Sequence, residues 1–87
     1  MIANPEPDFD QLLDITADLC PMTFVRTRLA LDRMDPGAVL KLRLRGEEPR
    51  QNVPRQAEAL GHAVLQTQTG ADGVTTVWLR KRMERTL

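Results

Sequence analysis

The chain has 87 residues, enough for one sheet and one layer of helices, because so short a chain buries a smaller fraction of its surface than a large one. Its 12 basic and 12 acidic residues leave a formal net charge of zero, so no global field draws nucleic acid or an anionic membrane to it, although a local basic patch is not excluded. One cysteine and one histidine exclude an intrachain disulfide and a cysteine-based zinc site.

The first ten residues are predicted to be a tail. Residues 1–10 contain two prolines and several acidic residues with little apolar content, which favours a flexible segment and leaves residues 11–87 as a single domain. This segment lacks the basic and apolar regions of a signal peptide, and no run in the chain approaches the ~18 apolar residues of a membrane span. We therefore expect no membrane partner and a cytoplasmic location, where reducing conditions keep a lone thiol free.

A strand and a helix are predicted on either side of the cysteine. Residues 11–16 have the pattern of a short strand, with Leu13 and Ile15 on the same face. Residues 21–34 follow as the first helix, and residues 35–37 (Asp-Pro-Gly) end it, because proline does not extend a helix and glycine suits a turn.

This helix has two apolar sides. One is expected to pack on the sheet and consists of Phe24, Leu31 and Met34. Val25 and Leu29 form a second pair, which is either a peripheral part of the core or a docking surface. Because the fold has so few layers, we favour the peripheral core.

Residues 38–45 alternate between apolar and basic side chains, which predicts a strand with one buried face and one wet face. The apolar set is Leu40, Leu42 and Leu44, and the basic set is Lys41, Arg43 and Arg45. Residues 46–49 are predicted to turn the chain. A second helix then begins with Asn52 as its N-cap, directs Val53, Ala57 and Leu60 inward, and ends at Gly61.

The C-terminal part has the pattern of a hairpin. Residues 62–69 and 74–82 flank Gly70-Ala71-Asp72-Gly73, a turn rich in residues that tolerate positive φ, so the two strands should be antiparallel. The order βαβαββ predicts an α/β fold, a two-layer α/β sandwich with both helices on one face of a four-stranded mixed sheet. A right-handed crossover through the first helix makes the first two strands parallel.

Cys20 is the candidate reactive residue. Pro21 suits the first position of a helix, which puts Cys20 at or beside the N-cap. Unpaired backbone N–H groups and the positive end of the helix dipole stabilise a thiolate there, and the thiolate is the nucleophilic form. A buried, inert cysteine is the alternative.

Three segments between residues 12 and 82 carry the chain's most specific motifs. The first contains Asp14, Ala17 and Cys20-Pro21, the second is residues 34–40 (Met-Asp-Pro-Gly-Ala-Val-Leu), and the third is Asn52-Val53-Pro54 followed by Gly61-His62. These segments resemble the TusA/SirA family of small sulfur-carrier proteins, whose Asp-x-x-Gly-x-x-Cys-Pro start has the register of the first segment. The order of predicted elements is also similar to that family's fold.

The resemblance implies a function for Cys20. Family members carry sulfur as a persulfide on this cysteine, receive it from a desulfurase or rhodanese-like donor and pass it to an acceptor protein. The chemistry needs an exposed thiol of low pKa and no cofactor or metal.

Two positions depart from the family's motif. Thr23 stands where the family has its second proline, and Ala17 stands where glycine is usual. A proline at position 23 would stiffen the backbone, whereas threonine restores an N–H and adds a hydroxyl. Thr23 is therefore expected to change how Cys20 is presented. Asp14 is expected to support the cysteine loop, and Asp18 is interpreted as a local turn residue. His62 is interpreted as a strand-start residue.

A basic set on the predicted sheet offers a second hypothesis. Lys41, Arg43 and Arg45, with Arg80 and Arg82 beside Trp78, would line an open face. Such a face could bind RNA by stacking bases and pairing phosphates, or could dock an acidic partner protein. With zero net charge and few aromatic residues, a merely solvated face is favoured over nucleic-acid binding.

Overall fold

A computed structural model describes residues 7–18 and 22–83 of the chain. The elements in order are β1 (Gln11–Asp14), α1 (Met22–Asp32), β2 (Val39–Arg45), α2 (Glu47–Ala59), β3 (Ala63–Thr69) and β4 (Val74–Arg80). The sheet has the order β1-β2-β4-β3, in which β1 and β2 are parallel and the other two pairs are antiparallel. The predicted α/β sandwich with βαβαββ order and a four-stranded mixed sheet is confirmed.

Strand β2 supplies the centre of the core. Its alternation has the predicted result, since the side chains of Leu40, Leu42 and Leu44 are all fully buried. Val77 and Leu79 of the neighbouring β4 lie on the same face and belong to the same cluster. Both helices pack on this face, because only there can their apolar residues leave water. The opposite face of the sheet has no helix among the described residues.

Helix α2 begins earlier than the sequence pattern predicted. It starts at Glu47, so the predicted turn at residues 46–49 is its first turn and Asn52 is not its N-cap. Gly46 holds the N-cap position with a φ of 108°, a conformation that favours glycine. The prediction was wrong because it placed Pro49 in a turn before the helix. Proline is compatible with the first turn of a helix, where backbone N–H groups have no intrahelical partner, and Pro49 is buried there.

The end of α2 lies where the sequence placed it. The N–H of Gly61 donates to the carbonyl of Glu58 at 2.9 Å, and the N–H of His62 donates to the carbonyl of Ala57 at 3.1 Å. This pair of bonds is a Schellman motif, which needs the positive φ of 95° that Gly61 adopts. Within the helix Val53 and Ala57 are buried as predicted, and Leu60 is half-buried.

Helix α1 differs most from its predicted orientation. Leu31 is buried as expected, but two threonines, Thr23 and Thr27, are also fully buried on the same side. Val25 and Leu29 remain 41% and 50% exposed, so the interpretation of this pair as peripheral core is wrong. The helix ends at Asp32, and Met34 of the predicted helix is buried in the bend that follows.

The residues just before β1 and just after β4 are hydrogen-bonded to the rest of the fold. Phe9 and Asp10, assigned to the tail by sequence, contact β2: the N–H of Asp10 donates to the carbonyl of Val39 at 2.8 Å. At the other end Arg82 donates from Nη1 to the carbonyl of Leu60 at 2.9 Å, so Arg82 is not part of the basic sheet face. Residues 1–6 of the predicted tail lie outside the described residues.

Candidate functional site

The turn that follows β1 is organised by Asp14. Its Oδ1 accepts hydrogen bonds from the backbone N–H of Thr16 at 3.0 Å and from the Thr16 hydroxyl at 2.7 Å. The guanidinium of Arg43 lies 3.6 Å from its Oδ2. The two bonds from Thr16, and then the charges of Arg43 and Arg45, lower the pKa of Asp14 below its ordinary value. The carboxylate is therefore ionised at neutral pH and holds the turn in one conformation.

Asp18 connects this turn to α1. Its N–H donates to the carbonyl of Ile15 at 3.0 Å, which agrees with its interpretation as a turn residue. Its Oδ2 also accepts a 2.7 Å hydrogen bond from the guanidinium of Arg26 on the second turn of α1. Sequence reasoning missed Arg26, because Asp18 lies in a turn and Arg26 on a helix, so no single periodic pattern relates the two residues. Ala17, at the family's glycine position, has no positive φ, so alanine fits this turn without strain.

Cys20 and Pro21 lie outside the described residues, together with Leu19. Their predicted positions at the start of the helix therefore stay predictions. On either side, the described chain stops at the braced Asp18 and resumes at Met22, the first residue of α1.

Thr23 occupies a buried position on the first turn of α1. Its side chain is fully buried, and among the described residues its hydroxyl has no hydrogen-bond partner. Thr27, one turn later, is equally buried but donates from its hydroxyl to the carbonyl of Thr23 at 2.7 Å. Within the described part of the protein the Thr23 hydroxyl is therefore an unsatisfied polar group, which has lost its hydrogen bonds to water without gaining one in exchange.

The basic residues of the predicted open face do share one face of the sheet, but three of them are engaged within the protein. Arg43 pairs with Asp14, and Arg45 donates from Nη1 to the carbonyl of Asp72 at 2.9 Å. Lys41 places its Nζ 5.1 Å from the ring centroid of Phe9 and 5.5 Å from that of Trp78. Arg80 is exposed and makes no ion pair in the described part of the chain.

Trp78 is not available as a stacking platform. The residue is only 1% exposed, and the ammonium group of Lys41 lies against its ring. The expectation of an aromatic residue open to bases beside the arginines is therefore wrong. The sequence pattern correctly predicted the face on which Trp78 lies but not the side chains that cover it.

A family model described as sulfurtransferase TusA matches residues 11–81, which include the braced turn, α1 and the whole sheet. The chain belongs to the TusA family. The predicted resemblance is thereby confirmed.

Individual relatives agree with the TusA assignment. The chain is 32% identical over 73 residues to a protein of Archaeoglobus fulgidus that is named as a candidate sulfur carrier, covering 84% of this chain and 83% of the relative. It is 29% identical over 75 residues to the sulfur carrier protein TusA of Pseudomonas putida, covering 86% and 92%. The crystal structure of a SirA-like protein from Desulfitobacterium hafniense has the same fold, with a TM-score of 0.73 at 23% identity over 84% of this chain and 99% of that one.

The remaining candidate residues of this TusA-family chain have structural roles. His62 is buried, and its Nδ1 accepts the backbone N–H of Arg82 at 3.1 Å. Burial, followed by the charges of Lys81 and Arg82, lowers the pKa of His62, so the ring is neutral at neutral pH. Within residues 7–18 and 22–83 no three His, Cys, Asp or Glu side chains form a group that would hold a metal ion. No helix there is long and apolar enough to cross a bilayer.

Proposed function

We propose that this protein is a sulfur relay in which Cys20 accepts a sulfane sulfur as a persulfide and passes it to a partner protein. The match to the TusA family over residues 11–81 is the observation that carries the proposal. The relatives named as sulfur carriers support it, because their similarity covers most of both chains. A relay through one thiol also needs no more than the single cysteine that the chain contains.

The transfer needs no oxidant or reductant. The Cys20 thiolate attacks the outer sulfur of a donor's persulfide, the donor's S–S bond breaks, and the donor cysteine leaves as a thiolate. A new S–S bond then joins Cys20 to the transferred sulfur. An acceptor thiolate repeats the exchange, so the sulfur keeps its oxidation state and Cys20 returns to a thiolate.

The surroundings of the loop suit this chemistry. Two carboxylates, Asp14 and Asp18, precede the loop in the chain, and an unpaired carboxylate near a thiol raises the thiol's pKa. Both are already engaged with arginines, Asp14 with Arg43 and Asp18 with Arg26, which reduces that opposition. The start of α1 adds the N-terminal end of a helix dipole, which favours a thiolate. We also propose a cytoplasmic location, where reducing conditions keep such a thiol free.

Persulfide loading tests the proposal directly. The full chain and its Cys20→Ala variant are incubated with glutathione persulfide and measured by intact mass. We expect one added sulfur, about 32 Da, on the wild type only, removed by a thiol reductant that cleaves the S–S bond. Wild type that gains no sulfur, or an adduct that persists in Cys20→Ala, would refute the assignment.

The basic face remains a second candidate contact, for an acidic donor or acceptor protein. RNA is not favoured there, because the Trp78 ring is covered and Arg43 and Arg45 are engaged internally. Lys41 and Arg80 share this face, and Arg80 is exposed. If the face docks a protein, Arg80→Glu should slow sulfur transfer from a protein donor, and the effect should shrink as salt rises.

A further inference from the structure

We propose that Arg26 is a positioning residue for sulfur transfer: it holds the Asp18 carboxylate away from the Cys20 thiolate and joins the chain segments on either side of that cysteine. Arg26 exerts this role through Asp18. The inference rests on the proposed relay function and adds to it how the reactivity of the thiol is set.

The first argument is the geometry of the ion pair between these two residues. Nη1 of Arg26 donates a 2.7 Å hydrogen bond to Oδ2 of Asp18, a length typical of a charge-assisted bond. The side chains are 45% and 24% exposed, so water screens this pair only in part. The pair of Arg28 and Asp32 on the same helix is 3.8 Å long with both side chains more than half exposed. The bond to Asp18 is therefore the more firmly held of the two.

The second argument is that both partners belong to fixed parts of the fold. The N–H of Asp18 donates to the carbonyl of the buried Ile15 at 3.0 Å, and the N–H of Ile15 donates to the carbonyl of Arg43 on β2 at 2.9 Å. Arg26 lies on the second turn of α1, whose buried side packs on the core. The ion pair therefore bridges residues 18–26, a segment whose sequence contains Cys20, and a bridged segment has less conformational freedom.

The third argument concerns the start of α1. The first backbone N–H groups of a helix have no acceptor within the helix, and they attract anions. Two anions of this segment could accept hydrogen bonds from them, the Asp18 carboxylate and the thiolate of Cys20, which is two residues later in the sequence. Because Arg26 binds the carboxylate, these N–H groups remain for the sulfur.

The other charged groups at this end of the sheet have partners of their own or are exposed. Strands β1 and β2 are parallel, so their C-terminal ends and the start of α2 lie at the same edge. The groups are Asp14 with Arg43 at 3.6 Å, Arg45 with the carbonyl of Asp72 at 2.9 Å, Glu47 with Arg50 at 3.2 Å, and the exposed Glu48. All of them stay unchanged in the variants below, so they contribute equally to each measured thiol pKa.

The pH dependence of thiol alkylation tests this role. The full chain is alkylated with iodoacetamide across the neutral and alkaline range, and the rates give the thiol pKa of Cys20, the one cysteine of the chain. The variants are Arg26→Gln, Arg26→Lys, Asp18→Asn and the double variant Asp18→Asn/Arg26→Gln. Arg28→Gln is the matched control, because it removes the same charge from the same helix but releases Asp32 instead. Loading from glutathione persulfide is measured on each protein by intact mass.

We expect Arg26→Gln to raise the thiol pKa of Cys20. Residues spaced by two have Cα atoms no more than about 7 Å apart. One carboxylate charge at about 7 Å raises a thiol pKa by about 0.5–1 unit when the effective dielectric constant is about 40–80. Below the wild-type thiol pKa, loading from glutathione persulfide should fall about two- to threefold, because higher nucleophilicity partly offsets the loss of thiolate.

The other variants separate the action through Asp18 from a general effect of charge. Arg26→Lys keeps the positive charge and Arg28→Gln lies farther from the loop, so both should stay within about 0.3 unit of the wild-type thiol pKa. Asp18→Asn should lower the thiol pKa, because it leaves the charge of Arg26 without its partner. In that background Arg26→Gln should have less than about half of its effect in the wild type, since no carboxylate is left to hold.

Three results would overturn the inference. One is an unchanged thiol pKa in Arg26→Gln. A second is an equal shift from Arg26→Gln in the wild type and in Asp18→Asn, which would mean that the guanidinium acts on the sulfur directly. A third is a shift of the same size in Arg28→Gln.

Circular dichroism melts check that each variant is folded, and a partly exposed ion pair should contribute little to stability. If Arg26→Gln does not fold, Asp18→Asn decides, because a thiol pKa that it fails to lower refutes the role of the pair. Failure of glutathione persulfide to load wild-type Cys20 is a separate outcome: it refutes the relay function, whereas the alkylation profiles still measure what Arg26 does.

Discussion

Replacing Thr23 by valine should make the protein more stable. Valine has nearly the same shape as threonine and a similar helix propensity, so the substitution removes a hydroxyl without opening a cavity. That hydroxyl is fully buried and has no partner among the described residues. An unsatisfied buried polar group costs about 1–3 kcal/mol, so the free energy of unfolding should rise by about that amount.

Thr27 provides the matched control. It is equally buried on the same helix, but its hydroxyl donates a 2.7 Å bond to the carbonyl of Thr23. Thr27→Val therefore removes a satisfied hydrogen bond, and the free energy of unfolding should fall by about 1 kcal/mol. The two substitutions have identical chemistry and are predicted to have opposite signs, which separates hydrogen bonding from any general effect of valine on the helix.

Urea unfolding followed by tryptophan fluorescence measures both variants. Trp78 is the one tryptophan in the chain and is 1% exposed, so unfolding should shift its emission strongly to the red. In a domain of this size each kcal/mol should also move the melting temperature by about 4–8 °C. A Thr23→Val protein no more stable than the wild type would show that the hydroxyl has a partner and that the reasoning is wrong. Cys20 loading rates in the same variant test whether Thr23 supports the thiol.

Three further substitutions follow from the structure. Folding lowers the pKa of the Asp14 carboxyl below 3.8, so the wild type should be more stable than Asp14→Asn at neutral pH. That advantage should disappear as the pH falls through the lowered pKa. Equal urea midpoints for the two proteins at pH 7 would contradict this prediction. Burial lowers the pKa of His62 below 6.5, so as the pH falls the unfolded chain binds a proton on this residue before the folded protein does. The melting temperature of the wild type should therefore fall from pH 7 to pH 5. The His62→Gln variant should not show that loss. Gly61→Ala should cost about 1–2 kcal/mol because φ is 95° there, and an unchanged melting temperature would argue against the helix-ending motif.

Local sequence patterns predicted most of the fold. The alternation on β2 and the turn at Gly70–Gly73 each contain their information within a few residues, because strand faces and hairpin turns depend on adjacent side chains. The start of α2 was missed, since Pro49 is compatible with both a turn and a first helical turn. The packing of α2 on the sheet decided in favour of the helix, because it buries Pro49, Val53 and Ala57.

The candidate site was predictable only in part. Spacing within one motif singled out both Asp14 and Cys20. The role of Asp14 as a support of the turn agrees with its bonds to Thr16, whereas Cys20 lies outside the described residues and stays a prediction. The pairing of Asp18 with Arg26 was not predictable, because it depends on the angle at which α1 leaves the turn. The pairing of Arg43 with Asp14 was not predictable either, because it depends on the register between the parallel strands β1 and β2.

The sequence by itself determined the order of the elements, the buried face of β2, the hairpin and the family. The first three depend on residues that are close along the chain, where backbone geometry sets which side chains share a face. The family follows from motifs at fixed spacing along residues 11–81. Only the tertiary structure decided that α1 turns threonines inward and Met22, Val25 and Leu29 outward, and that Trp78 is buried with Lys41 against its ring. Those outcomes depend on packing between distant segments, in which shape and neighbours outweigh the hydrophobicity of a single residue.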